Sequence, residues 1–146
     1  MRTLGLDVGE RRIGLAISDP DGRLALPMGT HQRSGGDDAA SIVALAQREE
    51  ATRIVVGLPL SMDGSHGTQA QVAEDFALRL RDRTDSEIVL WDERLSSVEA
   101  DHHLRLMGTR GKAAKSQRDA IAASIILQSY LDSRRGDALP PLPPIE

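Results

Sequence analysis

Three short strand-like patterns in immediate succession, followed by alternating helical and strand-like ones, leave few folds open to this chain. Apolar and polar residues alternate over residues 3–8, 12–18 and 22–28, with turn residues between them. Consecutive strands joined by short turns pair antiparallel, whereas strands separated by helices pair in parallel. The sequence therefore predicts an α/β fold: a five-stranded mixed sheet, three antiparallel strands then two parallel, with helices on both faces.

The rest of the chain completes this order as βββαβαβαα. The patterns predict helices over 38–50, 69–83, 97–106 and 117–133, strands over 53–57 and 87–93, and a Gly/Lys/Arg-rich loop over 107–115. The sequence ends in the Pro-rich segment "RRGDALPPLPPIE". We therefore assign residues 1–134 to one domain and residues 135–146 to a loosely ordered tail.

The composition excludes several kinds of fold, nucleophile and metal ligand. The 146 residues suit one domain, and no apolar run approaches the length of about 18 residues that spans a bilayer. The first residues show no secretory pattern, so we expect a cytoplasmic protein without a membrane partner. There is no cysteine, which excludes disulfides, a cysteine nucleophile and thiolate metal ligands. A bound metal would take oxygen or imidazole ligands.

Positive charge is concentrated in one segment of an otherwise acidic chain. The net charge is −4, which argues against a protein that coats nucleic acid indiscriminately. Between His102 and Arg118, a segment that also contains His103, the chain carries basic residues and no acid; these are Arg105, Arg110, Lys112, Lys115 and Arg118. This segment could contact phosphates, or it could be a solvated loop. The adjacent histidines point about 100° apart on a helix and are poorly placed to share one metal ion.

Three acids are predicted to meet at one end of the sheet. Asp7 lies late in an apolar strand, Glu93 ends the strand "EIVLWDE", and Asp119 opens the last predicted helix. Functional groups of open α/β sheets gather at the carboxyl ends of parallel strands. Converging carboxylates are ligands for a hard cation such as Mg²⁺ or Mn²⁺. With two such ions, phosphodiester hydrolysis by in-line displacement is the natural chemistry.

Each acid also has a structural interpretation. Ser116 and Asp119 match a helix capping box, Glu93 could be a solvated acid at a strand end, and Asp7 could be a buried carboxylate with a structural partner. Asp92 stands beside Glu93, so the sequence leaves open which of the two faces the metal. Asp63 and Asp101 are weak candidates for a fourth acid.

Four blocks of sequence resemble the YqgF-type family, small proteins described both as Holliday-junction resolvases and as pre-16S rRNA nucleases. The blocks are "GLDVGERRIGLAISD", "IVVGLPLSMDGSHG", "DERLSSVEA" and "KSQRDAIAASIILQSYL". They occur in the family's order over about residues 3–132. The resemblance implies a ribonuclease-H-like fold, and it places the family's three metal-binding acids on Asp7, Glu93 and Asp119.

The resemblance also suggests residues that contact nucleic acid. Gly9 would let a substrate backbone approach Asp7, although it also suits a hairpin turn. Arg94 could hold a phosphate bidentately, or it could pair with a neighbouring acid. Arg110, Lys112, Lys115 and Arg118 would neutralise phosphates near Asp119. Since Phe76, Trp91 and Tyr130 are the only aromatic residues, recognition by base stacking is not expected.

Several functions are compatible with these residues. We expect a Mg²⁺- or Mn²⁺-dependent nuclease that processes the 5′ end of precursor 16S rRNA, with cleavage of four-way DNA junctions as the alternative. A module that binds nucleic acid without cleaving it stays open, as does a homodimer. Asp7, Gly9 and Asp19 echo the phosphate loop of actin-like kinases, but the chain is too short for the two domains that enclose ATP in those proteins.

Overall fold

The fold is described from a computed structural model. It covers residues 1–61, 63–96 and 111–138, with the backbone alone for residues 95–96, 111–116 and 135–138. Among these residues, no helix is both long enough and apolar enough to cross a membrane.

Five strands form one sheet. They are β1 (Arg2–Val8), β2 (Arg12–Ser18), β3 (Ala25–Gln32), β4 (Ala51–Leu58) and β5 (Glu87–Asp92), and their spatial order is β3-β2-β1-β4-β5. The β1–β2 and β2–β3 pairs are antiparallel, whereas β1–β4 and β4–β5 are parallel. The predicted mixed sheet is confirmed.

Helices cover both faces of this sheet. They are α1 (Asp38–Arg48), α2 (Thr68–Arg81) and α3 (Gly111–Ala138), and a short 3-10 helix, Glu93–Ser96, follows β5. Leu4 and Leu6 of β1 share a core with Ile42 of α1 and Phe76 of α2. The opposite face is covered by α3, where Ala16 and Val55 share a second core with Leu127. The predicted helix over 97–106 lies outside the described residues.

Two elements differ clearly from the sequence prediction, and the other described elements agree with it to within two residues at each end. The strand expected over 22–28 is displaced to Ala25–Gln32, because the Asp19 carboxylate accepts hydrogen bonds from the backbone N–H groups of Arg23 and Leu24 and prolongs the turn. The last helix was expected over 117–133, but it begins at Gly111 and ends at Ala138. Residues 111–115, expected as loop, and 135–138, expected as tail, are therefore helical.

Three glycines allow α3 to lie close to the sheet. A Cβ atom on Gly5 would lie 2.7 Å from Leu127 Cβ, and one on Gly57 would lie 2.7 Å from Ile126 Cδ1. At Gly14 a Cβ atom would lie only 2.0 Å from the backbone oxygen of Asp119. The contact at Gly14 fixes where Asp119 meets the sheet.

Candidate active site

The three predicted acids line one open cavity of about 440 Å³. It lies at the end of the sheet where β1 stops and the chain turns into β2. Its walls are formed by Asp7, Val8, Gly9, Glu10, Arg11, Arg12, Pro59, Gln69, Glu93 and Asp119. The fold therefore brings together acids that are far apart in the sequence.

Strand register explains the placement of each acid. Asp7 pairs with Gly14 across the β1–β2 ladder, and Gly14 touches the backbone of Asp119. Glu93 follows the end of β5, and its Oε2 would lie 3.0 Å from a Cβ atom on Gly57. Gly14 and Gly57, which carry no side chain, therefore leave room for Asp119 and Glu93 at the cavity.

Burial and mutual repulsion disfavour the charged forms of two of these acids. Burial, followed by the charge of Asp119, raises the pKa of Asp7 to about 6. Burial, followed by the charges of Asp7 and Asp92, raises the pKa of Glu93 to about 7. A cation bound in the cavity would therefore favour the charged forms of both acids.

Asp119 has a different environment because a cation already binds it. Arg12 Nε donates a hydrogen bond of 2.8 Å to Asp119 Oδ2. Arg12 is the first residue of β2, and it shares a face of the strand with Gly14 two residues on. The guanidinium thus joins the β1–β2 hairpin to α3.

The capping-box interpretation of Asp119 is wrong. Since α3 begins at Gly111, Ser116 and Asp119 lie inside the helix and not at its first turn. Backbone N–H groups at these positions belong to the helical ladder. Asp119 instead projects to the sheet and binds Arg12.

Asp92 and Glu93 lie in different environments. Asp92 accepts three hydrogen bonds from the Arg94 side chain, the shortest of them 2.7 Å from Nη2 to Oδ2. The hydrogen bonds and charge of Arg94 hold the pKa of Asp92 below its usual value. Of these two acids, only Glu93 lines the cavity. Arg94 therefore forms a salt bridge with a neighbouring acid, which is one of the two roles that the sequence analysis considered for it.

The remaining predicted residues are only partly brought to the site. Gly9 lines the cavity, and its N–H donates to the Arg12 carbonyl at 2.8 Å, so it closes the hairpin turn. Arg118 is exposed on α3. Lys112 and Lys115 lie in the helical backbone, seven and four residues before Asp119, a spacing that shares a helix face. Arg110 and the histidine pair lie outside the described residues.

Asp63, one of the two weak candidates for a fourth acid, is engaged within its own loop. The Asp63 carboxylate accepts a hydrogen bond from the backbone N–H of Ser65 within its own loop, at 2.8 Å. It is not among the residues that line the cavity. Asp101 lies outside the described residues.

A larger cavity, of about 570 Å³, lies on the other side of the hairpin. Three arginines and three acids line it: Arg11, Arg33, Arg79, Glu10, Asp38 and Asp75. The buried carboxylate, Asp38, is already paired with His31 at 3.0 Å and with Arg33 at 3.6 Å. This cavity lacks the excess negative charge of the acid cavity.

A divalent metal fits the donor chemistry of the acid cavity, but its ligands are not fully assembled. Asp7 and Glu93 are half-buried carboxylates with raised pKa values, and their oxygens are suitable donors for Mg²⁺ or Mn²⁺. Among the described residues, however, no three acidic or imidazole side chains form a ready-made metal site. One oxygen of Asp119 is already engaged by Arg12.

Four polar residues of the cavity wall were not singled out by the sequence analysis: Glu10, Arg11, Arg12 and Gln69. For Arg12 a signal existed, because it lies two residues before Gly14, whose register partner is Asp7. Gln69 lies in the first turn of α2. Nothing in its local sequence distinguishes it from other exposed helix residues.

Comparison with known proteins identifies the family. The family model described as "RuvX: Holliday junction resolvase" matches residues 1–133. This chain belongs to the RuvX family. A relative from Chloroflexus aurantiacus is 49% identical over 92% of this chain and 88% of its own length. Another, from Anaeromyxobacter dehalogenans, is 47% identical over 92% and 98%. Both carry the name "Putative pre-16S rRNA nuclease".

Solved structures of resolvases with a similar fold confirm the ribonuclease-H-like fold. RuvC from Thermus thermophilus superposes with a TM-score of 0.61 at 15% identity, covering 93% of this chain and 97% of that one. The Fowlpox virus resolvase in complex with Holliday junction DNA gives a TM-score of 0.56 at 10% identity, covering 92% and 99%. At these identities the likeness concerns the fold alone.

Proposed function

We propose that this RuvX-family chain is a divalent-metal-dependent nuclease with Asp7, Glu93 and Asp119 as its catalytic carboxylates. The observation that carries the proposal is the pair Asp7 and Glu93, whose pKa values are raised in one open cavity by burial and by neighbouring carboxylates. A cation bound between these carboxylates would favour their charged forms, because it would offset their mutual repulsion.

The chain's own residues would act by position. Asp7 and Glu93 would hold Mg²⁺ or Mn²⁺ between β1 and β5, and Asp119 would complete the ligand set. The bound ion would supply Lewis-acid activation of water and stabilise charge on the departing oxygen. Gly14 and Gly57 leave the space in which these carboxylates meet. Arg110, Lys112, Lys115 and Arg118 would contact phosphates beside Asp119, and Gly9 would allow the substrate backbone to approach.

We further propose that the substrate is the 5′ end of precursor 16S rRNA. The names of relatives 47–49% identical over most of this chain support this substrate. The acidic net charge and a single basic segment offer little surface for binding two duplex arms. Such a substrate would place the activity in the cytoplasm, as we expect from the sequence.

Cleavage of four-way DNA junctions is the second candidate, and the description of the matching family model favours it. The same carboxylates would serve, since both substrates are phosphodiesters. A homodimer would present two such sites to the two strands that a resolvase must cut, and it stays a prediction.

A parallel assay separates these possibilities. The full chain is incubated with labelled precursor 16S rRNA, an unstructured RNA of equal length and a four-way DNA junction, each with Mg²⁺, Mn²⁺ or chelator. We expect metal-dependent cleavage at one position near the 5′ end of the precursor and none with chelator. Cleavage of the junction alone would support the second candidate. Tight binding of all three without any product would contradict the nuclease proposal.

A further inference from the structure

Arg12 is the cavity residue whose role the proposed function leaves unexplained. Its Nε binds Asp119 Oδ2 at 2.8 Å, and both side chains stay partly exposed, at 38% and 29%. It lies in the same cavity as Asp7 and Glu93. Within the described part of the chain, Asp119 is the only acid with which it forms a salt bridge.

A salt bridge at this position competes with metal binding. The Arg12 guanidinium donates a charge-assisted hydrogen bond to one oxygen of Asp119, Oδ2, and so occupies lone pairs that a metal ion could use. A divalent ion beside a guanidinium is also repelled by it. Asp119 can therefore offer both of its oxygens to the metal only after Arg12 gives way, and the closed salt bridge lowers the apparent metal affinity.

The released guanidinium would still face the cavity. It is attached to the first residue of β2, whose backbone is fixed by the ladder to β3 at Gln32. An arginine with five donors and a permanent charge suits a phosphate as well as a carboxylate. A phosphate bound beside the metal would thus replace the partner that Arg12 loses.

We propose that Arg12 is the resident cation of the metal-free site, which binds Asp119 until a divalent ion takes that carboxylate and then binds a phosphate of the nucleic acid. This inference rests on the proposed function. It makes metal and substrate binding mutually favourable, because each removes an obstacle to the other.

The first test measures Mn²⁺ affinity by calorimetric titration of the full chain without nucleic acid. Because a partly exposed salt bridge is the competitor, we expect Arg12→Ala to bind Mn²⁺ about threefold to tenfold more tightly than the wild type. Arg11→Ala is the matched control, since Arg11 lines the same cavity but does not bind Asp119. It should change the affinity less than about twofold. In an Asp119→Asn background, the gain from removing Arg12 should disappear.

The second test measures binding of a fluorescently labelled RNA hairpin, with Ca²⁺ in place of Mn²⁺. Loss of one phosphate contact should weaken binding by Arg12→Ala and lower the slope of log affinity against log salt by about one. Arg12→Lys keeps the charge and should recover most of the slope, whereas Arg12→Gln removes the charge and is measured if Arg12→Ala does not fold. An unchanged slope in the variant that lacks the charge would overturn the phosphate role.

These measurements separate the exchange from a merely structural role for Arg12. If Arg12 only fastens α3 to the hairpin, its loss would lower the melting temperature and leave Mn²⁺ affinity unchanged or weaker, which would overturn the proposal. An equal gain in Arg11→Ala would do the same. Neither test depends on cleavage. A chain that binds Mn²⁺ as described but cleaves no substrate would contradict the proposed function and leave the role of Arg12 intact.

Discussion

At the scale of single residues, the acids of this site differ in how their charge is compensated. Asp92 is held by Arg94 and Asp119 by Arg12. The pKa of Asp7 is raised by burial and by the charge of the Asp119 carboxylate. The sequence could place Asp7 in a strand and mark it as unusual, but it could not show this difference, because salt bridges between distant segments depend on register and helix position.

Removing the charge of Asp7 should stabilise the metal-free protein at high pH. Because its pKa is raised to about 6, the folded state binds more protons than the unfolded state between about pH 4 and pH 6, and stability falls as pH rises through that range. In chelator at pH 8, Asp7→Asn should be more stable than the wild type by roughly 2–3 kcal/mol. Urea denaturation at pH 4 and pH 8 measures this.

The gain should shrink to well under about 1 kcal/mol at pH 4, where Asp7 is protonated in the folded state and about half protonated in the unfolded state. A variant less stable than the wild type at pH 8 would show that the Asp7 carboxylate is structurally satisfied without a metal.

Isosteric amides at two neighbouring positions test which acid acts. Glu93→Gln removes a cavity acid and should lower the cleavage rate by about a hundredfold or more, as expected for loss of a metal ligand. Asp92→Asn does not change the residues that line the cavity, but it weakens the salt bridge to Arg94. It should therefore mainly lower stability, by about 1 kcal/mol. Single-turnover rates and urea denaturation of both variants give the comparison. A larger rate loss for Asp92→Asn would reverse the assignment.

At the scale of elements, the contact between α3 and the sheet creates the site. The helix was predicted from its apolar spacing, and its small Ala123 does lie in the core that α3 forms with the sheet. Its first residue was missed by six positions, because the Lys- and Ala-rich segment before residue 117 resembles a basic loop as much as a helix start. The close approach at Gly14 could not be deduced, since a glycine in a strand has several structural uses.

Adding one methyl group at Gly14 should disrupt this contact. The new Cβ would lie 2.0 Å from the Asp119 backbone oxygen, a contact that only a shift of α3 can relieve. We expect Gly14→Ala to lose about 2 kcal/mol or more of stability and most of its metal-dependent activity. Gly36→Ala is the control, because its nearest contact is an ordinary 3.4 Å to Ser34 Oγ. Equal stability of the two variants would contradict the proposed packing of α3.

At the scale of the whole molecule, the order of elements was predictable and the state of the site was not. Alternating patterns and turn residues fix strand number, and the helical segments between later strands fix which pairs are parallel. Convergence of Asp7, Glu93 and Asp119 followed from that topology. The salt bridge between Asp119 and Arg12 did not, since it joins residues that are far apart in the sequence.

We propose that these three carboxylates form a metal-dependent nuclease site. Asp7 is the member that lies within a strand of the sheet. The direct measurement is the rate at which the full chain cleaves 5′-labelled precursor 16S rRNA with Mn²⁺, compared between the wild type, Asp7→Asn and the wild type in chelator. We expect a single metal-dependent product from the wild type and a rate at least about a hundredfold lower for Asp7→Asn. Equal rates for the two proteins, or cleavage that persists in chelator, would contradict it.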